Sequence, residues 1–136
     1  MADILLIGDT RARMDSYALT LSAVGHEVEL CRTDHAARDR LFGPSVDLVV
    51  VDVTTPDSAL GLFCGQARAA WPGVKVLALA PYRDFSHTKL DQMGLWDPTE
   101  VLVHPVCDRR LVENCGRVLA WVQAPPAPEA SLSEPI

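Results

Sequence analysis

The sequence has no apolar run near the ~20 residues that a membrane-spanning helix requires. It begins MADILLIGDT, with no basic segment, and Asp3 and Asp9 flank a run too short for a signal peptide. A soluble cytoplasmic protein is therefore expected, with no membrane partner. A basic cluster is missing too: 12 Lys and Arg face 18 Asp and Glu, a net charge of -6, and the arginines are scattered among acids. That balance argues against a nucleic-acid partner. The 4 cysteines, Cys31, Cys64, Cys107 and Cys115, form no C-x-x-C pair and no Cys/His spacing of the zinc type. Reduced, mostly buried thiols are expected, with core packing the simplest role for Cys107 and Cys115. No G-x-G-x-x-G surrounds Gly8, so the first loop offers no cradle for a nucleotide or flavin phosphate.

What the chain does have is apolar material: 49% of 136 residues, enough for one domain with a sizeable core. The apolar runs are short and regularly spaced. Ile4–Ile7 predicts a buried strand, and Glu27–Cys31 an alternating, more exposed one. Asp47–Val53 and Val74–Ala80 predict two more buried strands, and Glu100–Val103 a fifth. Between them the spacing turns helical. Met14, Tyr17, Ala18, Leu21 and Val24 form the stripe of a helix over Arg11–Val24, stopped by Gly25. A short helix capped by Thr33 or Asp34 runs through Leu41 to Gly43-Pro44. Leu60, Phe63, Cys64, Ala67 and Trp71 mark a third, ended by Pro72-Gly73, and Ser86 caps a short fourth through Leu90 and Met93. Asp108 caps the last, whose stripe is Leu111, Val112, Cys115, Val118, Leu119 and Val122. Residues 123–136 are Pro-, Ala-, Ser- and Glu-rich without apolar periodicity, so a domain over 1–122 with a disordered tail is expected.

Strand and helix alternate five times with short links. This predicts an α/β fold, a doubly wound five-stranded parallel sheet of flavodoxin-like type with helices on both faces and strand order 2-1-3-4-5. In such sheets ligands bind at the C-terminal strand ends, at the switch point between the first and third strands. Asp9 follows the first strand and Asp52 ends the third. A carboxylate ending an apolar strand needs water or a partner, and two neighbouring carboxylates repel unless a proton or cation intervenes. Oxygen ligands at an aqueous rim suit Mg²⁺. With such a cation, Asp52 is placed to attack a phosphoryl donor.

These pieces resemble the receiver domains of bacterial two-component response regulators. The resemblance rests on ILLIGD, GHEVELC, DLVVVDVTTPD, WPGVKVLALA and VLVHP, and covers about Ala2–Val122. It implies that Asp52 is the phosphoacceptor, with Pro56 matching the proline four residues on. Mg²⁺ would be held by Asp9, Asp52 and the backbone carbonyl of Thr54. It also exposes departures. Gly8 stands where the family carries a second acid. Ala80 stands where a Ser or Thr holds the phosphoryl group, and His104, before Pro105, where a Lys does. Val101 stands where an aromatic switch residue sits. Asp9 and Asp52 would favour a protonated His104 in that place.

The implied function is a stand-alone receiver, not an enzyme, accepting a phosphoryl group on Asp52 and signalling through protein contacts. Its expected partners are a histidine kinase or phosphotransfer protein and an effector. The effector would dock on the face of the fourth strand, the helix after Ser86 and the fifth strand; a homodimer is compatible. No output domain is expected after Val122. The competing reading, carried by Gly8, Ala80, Val101 and His104, is a pseudo-receiver that binds without phosphorylation. A phosphatase-like hydrolase with Asp52 as nucleophile is a remote third, since Thr54 stands where such enzymes carry a second Asp. The ordinary alternatives are a solvated Asp52 at a strand end and His104 as a loop residue.

Overall fold

A computed structural model of the chain describes residues 2–8, 10–31, 34–52, 58–80 and 100–120. The order is β1 (Asp3–Ile7), α1 (Arg11–Ala23), β2 (Glu27–Cys31), α2 (Asp34–Arg40), β3 (Leu48–Asp52), α3 (Ser58–Ala70), β4 (Lys75–Ala80), β5 (Glu100–Val103) and α4 (Asp108–Ala120). The five strands form one sheet in the order β2-β1-β3-β4-β5, and every neighbouring pair is parallel. This is the topology the sequence predicts. The helix expected after Ser86, Trp96 and its loop, Thr33, Trp121, Val122 and the tail all lie outside the described residues.

The sheet is buried on both faces, which is why its inner strands read as unbroken apolar runs. Successive strand residues point to opposite faces. Leu5 and Ile7, Val49 and Val51, and Val76 and Ala80 join Phe63, Cys64, Ala67 and Trp71 of the α2–α3 side. Ile4 and Leu6, Leu48 and Val50, and Leu77 and Leu79 pack with Met14, Tyr17 and Leu21 of α1 and Leu111, Cys115 and Val118 of α4. Asp52 shares the parity of Leu48 and Val50, and so faces the α1–α4 side. β2, at the sheet edge, alternates exposed and half-buried until Cys31.

Helix ends follow local chemistry. Gly25 takes φ 100°, a left-handed conformation that only glycine adopts without strain, and the His26 N–H returns to the Leu21 carbonyl. α1 therefore stops where expected. Val24, assigned to the apolar stripe, is instead 51% exposed, because the chain has left the helix before it could turn inward. At the start of α4 the Cys107 carbonyl accepts the Leu111 N–H, so Cys107 holds the cap position and Asp108 is the first helical residue. Cys107 is consequently exposed, against the expectation of core packing, while Cys31, Cys64 and Cys115 are buried. Trp71 is buried as expected, and the Arg40 guanidinium carbon lies 5.4 Å from its ring centroid. β3 begins at Leu48, one residue after the predicted start, and Val53 lies outside the described residues. Asp47 precedes it, where its carboxylate accepts the Asp3 N–H at 2.9 Å and fastens the start of β1 to the start of β3.

Candidate functional site

The site lies where β1 and β3 end together, with Ile7 beside Val51 in register. Asp52 is only 2% exposed, one of two buried polar residues among those described. A buried carboxylate is costly unless its oxygens are partnered. Here each oxygen has its own donor. Arg13 Nε donates to Oδ2 at 2.8 Å, and His104 Nε2 lies 2.8 Å from Oδ1. An ionised carboxylate only accepts, so Nε2 carries the hydrogen.

Arg13 comes from the first turn of α1. Its position there is locally unfavourable: the helix N-terminus carries partial positive charge, and the first turn holds no acid. The Asp52 carboxylate offsets that. The guanidinium is fixed at a second point, where Nη2 donates to Thr10 Oγ1 at 3.3 Å. Thr10 holds the cap position of α1, yet its hydroxyl caps no backbone N–H there. The Arg13 side chain remains 34% exposed, so this face of the site borders water.

His104 is positioned from the other side. Its N–H donates to the Ala80 carbonyl at 3.0 Å, continuing the β4–β5 pairing one residue past the strand. The His104–Pro105 peptide is cis. The imidazole stacks on Tyr17, with centroids 6.5 Å apart and planes 10° from parallel, and the Tyr17 hydroxyl lies 3.5 Å from Nδ1. Burial foremost, with the charge of Asp52, pushes the Tyr17 phenol up to about 12; Arg13 opposes this and Asp108 adds to it.

Gly8 lies in close contact with α1 and β3. A Cβ there would lie 2.5 Å from Met14 Sδ and 3.1 Å from both Met14 Cε and Asp52 Cβ. Met14 is fully buried and fills the space a side chain at position 8 would enter. Its thioether is a soft donor, unsuited to a hard cation such as Mg²⁺.

The expected site residues divide as follows. Asp52 and His104 are in direct contact. Ala80 meets His104 through its backbone; its methyl is buried on the α3 side and offers no hydroxyl. Val101 is half-buried against the same cluster. Asp9, Thr54, Pro56, Asp57 and Asp84 lie outside the described residues. Arg13 and Tyr17 as site residues were missed by the sequence reading, which took Tyr17 for core. The signal for Arg13 was an arginine in an acid-free first helical turn beside the switch point.

The described residues by themselves do not complete a Mg²⁺ site, and two of the expected ligands, Asp9 and the Thr54 carbonyl, lie outside them. Both Asp52 oxygens accept from nitrogen donors, position 8 has no carboxylate, and Arg13 sets a positive charge beside Oδ2, with Nε at 2.8 Å. Among the described residues no group of three or more His, Cys, Asp or Glu is arranged to hold a metal. No helix among them is long and apolar enough to cross a membrane.

No protein-family model and no curated protein matches the sequence. The fold, by contrast, is well represented among solved structures. A CheY-like response regulator receiver domain protein from Methanospirillum hungatei superposes with a TM-score of 0.74 at 23% identity, covering 88% of this chain and 94% of its own. The chemotaxis response regulator CheY4 of Vibrio cholerae gives 0.73 at 22%, covering 87% and 98%. The signal receiver domain of a histidine kinase from Syntrophus aciditrophicus gives 0.73 at 19%, covering 93% and 96%. The chain thus has the flavodoxin-like fold of the response regulator receiver domains.

Proposed function

We propose that this chain is a receiver-type module of two-component signalling that works by protein–protein contact, with Asp52 held as an ionised carboxylate and not used as a phosphoacceptor. The observation that carries the reading is the double occupation of Asp52. Its side chain is fully buried, and Arg13 and His104 each take one oxygen. Each oxygen keeps a second lone pair, but the side chain is fully buried, so a phosphoryl donor has no approach to it while both partners stay in place. Ala80 supplies no hydroxyl to the transferred group, and Met14 occupies the room of the missing acid.

The receiver fold supports the signalling context, and the altered residues favour the pseudo-receiver over the phosphorylated form. Its partners would be components of a two-component system, with an effector binding near β4 and β5. Val101, half-buried and aliphatic, replaces the aromatic switch there. The module would bind and not turn over a substrate. Phosphorylation of Asp52 stays as a second reading for one reason: Arg13 is partly exposed. A guanidinium that swings out would free Oδ2 and could then pair with a phosphoryl oxygen.

The experiment is incubation of the full chain with a small phosphodonor, with and without Mg²⁺, followed by intact-mass spectrometry. The expected result is no added phosphoryl group. An adduct present in the native chain and absent in Asp52→Asn overturns the proposal in favour of the second reading.

A further inference from the structure

We propose that Arg13 is a built-in replacement for a divalent cation, so that the buried Asp52 carboxylate at the end of β3 is balanced without metal. The inference deepens the proposed function and rests on the same Asp52.

The argument begins with what a buried carboxylate needs. Asp52 has no access to water, and a cation must balance it. Arg13 Nε at 2.8 Å supplies a permanent one, since a guanidinium is not deprotonated in proteins. The arginine is also held in place. One nitrogen bonds Asp52 and another bonds Thr10, which locks the planar group across the start of α1. A solvated surface arginine would have neither fixed point, and its partner would not be buried.

The second line is steric. A dication at Asp52 needs several further oxygens. Position 8, on the strand end beside β3, has no side chain, and Met14 Sδ stands 2.5 Å from where its Cβ would be. Residues 13 and 14 of one helical turn therefore act together. Arg13 brings the charge, and Met14 fills the volume of an acid that the charge makes unnecessary. His104 completes the ring by taking Oδ1, the oxygen Arg13 leaves open.

The test uses the full chain with Mg²⁺ and, as its paramagnetic counterpart, Mn²⁺. In the native protein, millimolar Mg²⁺ leaves the Tm unchanged. Mn²⁺ causes no selective broadening of the amide signals around Val51 and Asp52. Arg13→Ala has a lower Tm without metal. Mg²⁺ raises it by roughly 3 °C or more, and Mn²⁺ broadens the Asp52 region. Arg13→Lys keeps the charge and stays insensitive to metal. If Arg13→Ala does not fold, Arg13→Gln, which keeps the length and loses the charge, takes its place. Selective Mn²⁺ broadening at Asp52 in the native chain overturns the inference. So does a neutral Arg13 variant as indifferent to both metals as the native protein. Either failure leaves signalling without phosphorylation standing, whereas a phosphoryl adduct on Asp52 removes that reading without deciding whether metal binds.

Discussion

Arg13 and Asp52 stand 39 positions apart in the sequence, yet Arg13 Nε donates to Asp52 Oδ2 at 2.8 Å. The first turn of α1 and the last residue of β3 are thereby joined across the switch point of the sheet. A charged hydrogen bond to a buried carboxylate is worth about 1.5–3 kcal/mol, and the partial exposure of Arg13 lowers this to roughly 1–2 kcal/mol. A double-mutant cycle with Arg13→Gln and Asp52→Asn, read by urea unfolding, should give a coupling of that size. A coupling indistinguishable from zero would mean that Arg13 does not stabilise the buried carboxylate and that His104 alone partners it.

Gly8 is required by close approach and not by backbone conformation. Gly8→Ala should destabilise the fold by about 1–3 kcal/mol, the usual range for overpacking a tight interior. The penalty should shrink in a Met14→Ala background, because Met14 Sδ is the atom nearest the added methyl. Equal penalties in both backgrounds would place the conflict at Asp52 Cβ instead.

Tyr17 gives the site a signature at high pH. Its phenol is raised from 10.0 to about 12, chiefly by burial and then by Asp52. The charged groups facing it are Asp52, Arg13 and Asp108, with His104 stacked on the ring. A folded-state value above the unfolded one means that the unfolded chain loses the proton first. The associated stability is thus complete below about pH 10 and falls as pH rises toward 12. Phenolate absorbance should show a late component that is absent in Tyr17→Phe. In that variant the stability loss between pH 10 and 12 should also be smaller.

The thiols should separate by reactivity. Cys107 is exposed at the start of α4, and Cys31, Cys64 and Cys115 are buried. Burial pushes Cys64 up to about 12 and raises Cys31 as well, which suppresses the reactive thiolate. A thiol reagent applied to the native protein at pH 8 should modify one cysteine rapidly, and Cys107→Ser should abolish that fast phase. Fast labelling that survives the substitution would contradict the assigned burial.

The sequence by itself determined the scaffold. Apolar runs broken by helical spacing located β1 through β5, and Glu100–Val103 coincides with the observed strand. The β-α alternation gave a parallel sheet with right-handed crossovers, and the five units of this size suited the order 2-1-3-4-5 that the structure shows. The sequence also singled out Asp52 as a residue in need of partners, since a charge that ends an apolar strand cannot stay unpaired. The misplacements are at element ends. Val24 follows the stripe yet lies past the last turn, and Cys107 sits at a cap, where periodicity says nothing about burial.

Only the tertiary structure decided what partners Asp52. Arg13 reads in sequence as one more charge on the solvated face of a helix, and Met14 as one more core residue. Their roles follow from the distance between α1 and the end of β3, which no local pattern encodes. The parity of β3 turns Asp52 toward α1, Ala80 and β5 bring His104 to its other oxygen, and the absence of a side chain at Gly8 leaves Met14 room to lie against it. A buried charge takes its meaning from its neighbours, and here those neighbours come from three separate segments of the chain.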